Sequence, residues 1–248
     1  MSVPTAVFAS GGGTNLQALL DHFRERTDAH IALVISDRAH AGALRRAEAA
    51  GVGAIHIGVN QRSSDDVGQE TMAALSEHGI ELIALAGYLR LVPAEVTRKF
   101  RGRILNIHPA LLPAFGGKGM FGVHVHEAVL AAGCRISGAT VHWVDERYDE
   151  GRIITQWPVP VFAHDTVASL AERVLKVEHA LYPAVVAAVA RRIRARTVQP
   201  DSPESRDAHA GAPPHARQTA AHSAVFRLDT SDEGPDGDML VFADLQGN

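Results

Sequence analysis

The chain reads as an α/β protein on a mostly parallel, twisted sheet with an antiparallel C-terminal extension. Three observations predict this. Short, nearly continuous apolar runs at 5–9, 30–36, 53–57, 80–86 and 104–107 alternate with helical patterns, as strands covered on both faces by crossover helices do. Glycines stand where those elements end, as at Gly51 and Gly79. From 137 onward the pattern becomes alternating, and two strands follow with only a loop between them.

The first strand, 5–9, runs into Ser10-Gly11-Gly12-Gly13-Thr14-Asn15 and a helix over 16–23. Strand, glycine turn and helix start offer unpaired backbone N–H groups and a favourable dipole to an anion. The spacing is neither GxGxxG nor GxxxxGK[ST]. By spacing alone the turn reads equally as a phosphate cradle or as a plain turn with Thr14 or Asn15 as helix cap. A second strand at 30–36, a helix over 41–51, a third strand at 53–57, a helix over 65–78 and a fourth strand at 80–86 follow. Such sheets bind ligands beyond the C-terminal ends of their strands. The glycine turn, the 87–92 segment after the fourth strand and Asn106 with His108 after the fifth all fall on that edge.

Asn106 and His108 are two apart, so on an extended chain they point to one side, and Pro109 ends the strand. A carboxamide beside an imidazole can polarise a carbonyl and move a proton. The next stretch, 114–122, holds four glycines, and is read either as a lid or as a plain flexible connection. A helix over 124–132, a half-buried strand at 137–144, a loop at 145–151 and a strand at 152–162 come next. Pro158 and Pro160 put that last strand at a sheet edge. A long helix spans 166–194, with a bend expected before Pro183. Arg191, Arg192, Arg194 and Arg196 cluster at its end, where cations suit the helix dipole. They read as structural, not as a nucleic-acid patch.

Composition narrows the function classes. Of 248 residues 46% are hydrophobic, enough for a sizeable core, and the net charge of −4 supplies no basic field for nucleic acid. The one cysteine, Cys134, excludes an internal disulfide, suits a reducing, cytoplasmic setting, and reads as a small buried apolar residue and not a nucleophile. Met1-Ser2-Val3-Pro4 lacks the basic and apolar regions of a signal peptide, and no apolar run reaches the roughly 18 residues of a membrane span. His108, His124, His126 and His142 lack cysteine partners or an HExxH spacing, so no metal is expected. From Pro200 the composition shifts: the last 49 residues hold five of the 12 prolines, no lysine, and nine acidic residues against three arginines. Residues 1–197 are therefore read as the folded domain and 198–248 as an acidic, Pro-rich, flexible tail, with a hairpin suggested by apolar runs at 224–228 and 239–243.

Six motifs stand in order along the chain: Ser10-Gly-x-Gly-Thr-Asn15, Leu85-Ala-Gly-Tyr-Leu-Arg90, Leu105-Asn-Ile-His-Pro-Ala-Leu-Leu-Pro113, Gly138-Ala-Thr-Val-His142, the run from Asp145 to Asp149, and Glu178-His-Ala-Leu-Tyr-Pro183. With them the chain, over residues 3–192, resembles the phosphoribosylglycinamide formyltransferase family. The resemblance implies a Rossmann-like formyltransferase fold. It implies transfer of a formyl group from 10-formyltetrahydrofolate to the amine of glycinamide ribonucleotide (GAR), in de novo purine synthesis. It implies Asn106, His108 and Asp149 as catalytic, and Gly13, Thr14 and Asn15 on the phosphate. Glu178 is implied on the nucleotide. Leu89, Arg90, Leu91, Val92 and Asn106 are implied on the folate, with Arg62 as the folate-side arginine. It implies no metal and small-molecule partners, with a monomer or homodimer as the assembly. Glu150 departs from the family's frequent glycine, and the 116–122 loop is longer than in some members.

Taken alone, Asp149 is a loop carboxylate and Glu178 a solvated helix charge; only the resemblance raises them. His142 is expected to support the site from the neighbouring strand. Rival readings are a formyltetrahydrofolate hydrolase, which usually carries an N-terminal regulatory domain, and a methionyl-tRNA formyltransferase, which usually carries a C-terminal β-barrel. A third is a non-catalytic nucleotide-binding regulator.

Overall fold

The computed structural model describes residues 2–198. Its elements run β1 (Val3–Phe8), α1 (Thr14–Phe23), β2 (Ala29–Ser36), α2 (Gly42–Ala49), β3 (Gly53–His56), α3 (Ser64–Glu77), β4 (Leu82–Leu85), α4 (Ala94–Lys99), β5 (Ile104–His108), α5 (Val123–Ala131), β6 (Ile136–Trp143), β7 (Ile153–Pro160) and α6 (Val167–Val198). The strands form one sheet in the order β3-β2-β1-β4-β5-β6-β7. The first five are parallel, and β6 and β7 add on antiparallel. The fold class and the edge position of the proline-bearing β7 are as the sequence predicts. The tail and its hairpin lie outside the described residues, apart from Val198.

Side-chain alternation along each strand feeds two cores. Val7, Leu82, Ala84, Leu105 and Ile107 pack against α1, α2, α5 and α6. Phe8, Leu33, Ile83, Leu85 and Ile104 pack against α3 and α4. Strand order reverses between β1 and β4, the switch point where open α/β sheets place ligands. The register aligns Phe8, Leu85, Asn106 and His142 in one row across four strands. The ends of β1, β4 and β5 therefore open onto one crevice.

The structure departs from the sequence reading in two places. Helix α4 was not expected: it has six residues behind Pro93 and no side-chain cap, too little for periodicity to reveal. Strand β6 is buried on both faces from Ser137 to His142, not half-buried. Its second face is covered by the chain after β5: Thr140 Oγ1 donates to Ala110 O at 2.6 Å and accepts from Leu112 N–H at 3.1 Å. The long closing helix is as the sequence predicts: α6 runs unbroken through Pro183. Its buried face is long and apolar, and packing outweighs the one backbone bond proline removes.

Tyr182 of α6 is fully buried, and its hydroxyl donates to Leu85 O at 2.9 Å and Leu105 O at 3.1 Å. It clamps β4 to β5 one residue before Asn106. Tyr182→Phe leaves two buried carbonyls without this donor and should cost about 1–3 kcal/mol, read as a lower urea midpoint with unchanged slope.

Candidate active site

The cluster at the end of β5 is built from four segments. Asn106 and His108 come from β5, His142 from the facing strand β6, Asp149 from the loop before β7, and Phe115 and Gly117 from the glycine-rich loop. Asn106 Nδ2 lies 3.0 Å from His142 Nε2 and donates to Asp149 Oδ1 at 3.3 Å. His142 Nδ1 lies 2.9 Å from Trp143 O, which makes Nδ1 the protonated nitrogen and Nε2 the acceptor. Both amide hydrogens of Asn106 thus have protein partners. His108 Nε2 lies 2.8 Å from Phe115 O and so carries a proton, while its Nδ1 faces Asp149 Oδ2 at 3.6 Å. Gly117 N–H donates to the same Asp149 oxygen at 2.9 Å. Asp149 sits in the left-handed region, φ 55°, and its bonds to Asn106 and Gly117 hold it there.

These contacts set the charges. Burial lowers the pKa of His108 below the ordinary 6.5; Asp149 and the Phe115 carbonyl pull upward without overcoming it, and His142 adds to the lowering. The imidazole is neutral at rest. Burial also works to raise Asp149, but the His142 contact, His108 and the Gly117 N–H together bring it below the usual carboxylate value. The site therefore holds the Asp149 carboxylate against the neutral His108 ring, a pair ready to take a proton.

The first residues of the glycine-rich loop form the wall over His108 and Asp149. His142 plays the supporting part the sequence suggested. His126 is buried on α5, whereas His124 is exposed and paired with Glu127. Among the described residues no three His, Cys, Asp or Glu side chains gather as metal ligands.

The glycine turn lies next door. Gly13 has φ 76°, and a Cβ there would come 2.8 Å from the Ala43 backbone, so only glycine fits. The N–H groups of Gly11, Gly12 and Gly13 have no partner among the described residues. Ser10 ties the turn to the segment after β4: its N–H donates to Gly87 O at 3.0 Å and its Oγ accepts from Leu89 N–H at 2.9 Å. Leu89 N–H is therefore spent inside the protein, whereas the N–H groups of Arg90, Leu91 and Val92 have no partner among the described residues. Arg90 pairs with the buried Asp37 at 3.2 Å, and Leu91 is half-exposed. Arg62 turns to its own surroundings, donating to Gly58 O, Asp66 O and Glu70 at the start of α3.

Glu178 is no solvated charge. It is buried on α6 and accepts from Asn15 Nδ2 at 2.9 Å. Burial raises its pKa to about 7, against a small opposing pull from Asn15. The parts that sequence reading missed are mostly backbone: the Phe115 carbonyl and Gly117 N–H carry no residue-type signal. The Thr140 link that holds 110–112 in place was visible only as a motif residue.

The formyl transferase family pattern matches residues 4–186. A chloroplastic phosphoribosylglycinamide formyltransferase of Arabidopsis thaliana is 43% identical over 187 residues, 74% of this chain and 64% of the relative. The chain thus spans just under two thirds of that protein. The phosphoribosylglycinamide formyltransferase of Bacillus subtilis is 38% identical over 188 residues, 73% of this chain and 91% of the relative. The crystal structure of the Brucella melitensis enzyme of that name superposes with TM-score 0.70 at 41% identity, covering 77% of this chain and 96% of that one.

Two titrations check the electrostatics. The His108 ring should titrate below 6.5 by NMR, and lower still in Asp149→Asn, which removes an upward pull; an unmoved midpoint would show that the carboxylate is not felt. Glu178 has the opposite sign: its folded value lies above 4.5, so its stabilising contribution is full below pH 4.5 and lost as pH rises through about 7. Glu178→Gln should therefore gain on the wild type by up to about 3 kcal/mol at pH 8 relative to pH 4, measured as the difference in unfolding free energy.

Proposed function

The chain belongs to the formyl transferase family and groups with its phosphoribosylglycinamide formyltransferases, and from that premise we propose that it transfers the formyl group of 10-formyltetrahydrofolate to the amine of GAR. One observation carries this. Asn106, His108 and Asp149, from two distant segments, meet within hydrogen-bonding or ion-pair reach beside a glycine turn with three open N–H groups.

The GAR amine attacks the formyl carbon, negative charge develops on the formyl oxygen, and the bond from carbon to folate N10 breaks. Asn106 donates to that oxygen by giving up the longer of its two bonds, the 3.3 Å one to Asp149. The amine must lose a proton and N10 must gain one. His108, neutral with a free Nδ1, accepts it, and Asp149 at 3.6 Å stabilises the imidazolium until the proton passes to N10. Charge on the ring then also favours the developing oxyanion. Arg90, Leu91 and Val92 present backbone donors to the pterin, with Leu89 holding the segment to Ser10. Gly13, Thr14 and Asn15 face the phosphate, and Asn15 with Glu178 faces the nucleotide. Arg62 reaches the folate only by exchanging its bonds at the start of α3.

The catalytic unit is residues 1–197, acting on small molecules as a monomer or homodimer. Among the described residues no helix is long and apolar enough to cross a membrane. The single cysteine supports a reducing, cytoplasmic setting, although the Arabidopsis relative is chloroplastic.

The purified chain should release tetrahydrofolate, followed spectroscopically, only when GAR is present. Asn106→Ala and His108→Ala should each lower the rate by about 10²–10³ while remaining folded. Release without GAR would make the chain a hydrolase, and nucleotide binding without any release would make it a regulator.

A further inference from the structure

Helices α4 and α6 each run into four cations. At the end of α6, Arg191 pairs with Asp28 at 3.4 Å and Arg194 donates to Thr27 O at 3.0 Å, so that cluster pins the helix to the chain entering β2. At the end of α4 stand Arg98, Lys99, Arg101 and Arg103. Arg103 is engaged, donating to Lys99 O and lying over the Phe100 ring. The side chains of Arg98, Lys99 and Arg101 are exposed and have no hydrogen bond or ion pair among the described residues. A helix C-terminus favours cations in its last turn, which accounts for Arg98 and Lys99; Arg101 lies beyond the helix. The acid of this helix, Glu95, turns the other way and lies against Gly68 of α3.

Arg98 and Arg101 line a cleft of about 410 Å³ between α4 and residues 144–147. Arg147 borders it from the far wall, exposed and paired with Glu150 at 2.6 Å. The acids on that wall are Asp145, which accepts from Arg147 N–H at 2.8 Å, and Glu146. Unpaired guanidinium groups along a cleft of this size suit a run of carboxylates. The chain itself contains such a run. Five of the ten residues from Asp229 to Asp238 are acidic, and no Lys, Arg or His occurs from Leu228 to the last residue. The described chain also ends on the right side of the sheet. Helix α6 closes beside Thr27 and Asp28, just before β2, while Arg103 O accepts from Ile83 N–H near the start of β4. Both points lie at the edge where the parallel strands begin. About thirty residues separate Val198 from Asp229, and that many can span up to roughly 100 Å.

We propose that the acidic segment 229–238 of this chain docks on Arg98, Lys99 and Arg101, in the cleft between α4 and residues 144–147. Its carboxylates supply the partners that these three cations lack in the described chain. Residues 144–147 lead into Asp149, so the docked segment braces from outside the loop that carries that carboxylate. The docking holds whether or not the chain transfers formyl groups.

The chain has three lysines: Lys99 on α4, Lys118 in the glycine-rich loop and Lys176 on α6. A zero-length carbodiimide joins a carboxylate to an amine only where the two touch, so it reports where the acidic segment sits. In the full chain at low salt, peptide mapping should find Lys99 coupled to a carboxylate of 229–238 within the monomer. Lys176 should couple to Glu172, its partner at 2.9 Å, as an internal control. The Lys99 product should fall about fivefold in Arg98→Gln/Arg101→Gln, the loss of two exposed charge pairs, with the control product and the unfolding midpoint unchanged. It should also disappear at 1 M salt, where the screening length is about 3 Å. No Lys99 product, or one left undiminished by the double variant or by 1 M salt, overturns the proposal. Coupling of 229–238 to Lys118 or Lys176 instead places the segment elsewhere and overturns it too. A Lys99 product confined to covalent dimers gives the cleft to a second copy of the chain, which likewise overturns it.

Discussion

One buried hydroxyl holds the site together. Tyr182 donates from α6 to the carbonyls of Leu85 and Leu105, the last residue of β4 and the residue before Asn106. Burial and the nearby Glu178 push its phenol well above the ordinary value, so it stays a donor across any working pH. With β4 and β5 held at this level, the segment after β4 and the Asn106–His108 pair leave the sheet at a set separation. Glu178 lies one helical turn before Tyr182, so the residue that braces the strands also sets the depth of the carboxyl beside Asn15.

Burial and charge act against each other in the cluster above that brace. His108 is almost wholly enclosed, and enclosure favours the neutral ring more than the neighbouring carboxylate favours the charged one. Asp149 has the same conflict with the opposite outcome, because it collects contacts from His142, His108 and Gly117. A neutral base beside a fixed carboxylate can accept a proton without a large rearrangement, and the carboxylate then supplies the attraction that burial had outweighed. Dipoles fixed by strand pairing and by the loop wall need no reorganisation when charge appears on a substrate.

The two substrate approaches are coupled by covalent neighbours and by Ser10. The same serine donates to Gly87 and accepts from Leu89, so two hydrogen bonds tie the glycine turn to the segment after β4. Asp37 and Arg90 add a second tie from β2 to that segment.

The sequence by itself determined the sheet: apolar runs of strand length between helical patterns have few alternatives, and the edge prolines of β7 and the same-side placement of Asn106 and His108 follow from a period of two. It also marked the glycine turn and Asp149, whose roles only the family resemblance of the motifs supplied. Only the tertiary structure decided what those residues do to each other. Asp149 lies 41 residues after His108 in the chain, and Glu178 lies 163 after Asn15, so their contacts depend on how β6, the loop before β7 and α6 fold back. Whether His108 rests neutral, whether Glu178 is solvated or enclosed, and which amide hydrogens of Asn106 are free are questions of burial and direction. Residue type and spacing carry no information on either, because both arise from the sum of contacts that distant segments make around a point.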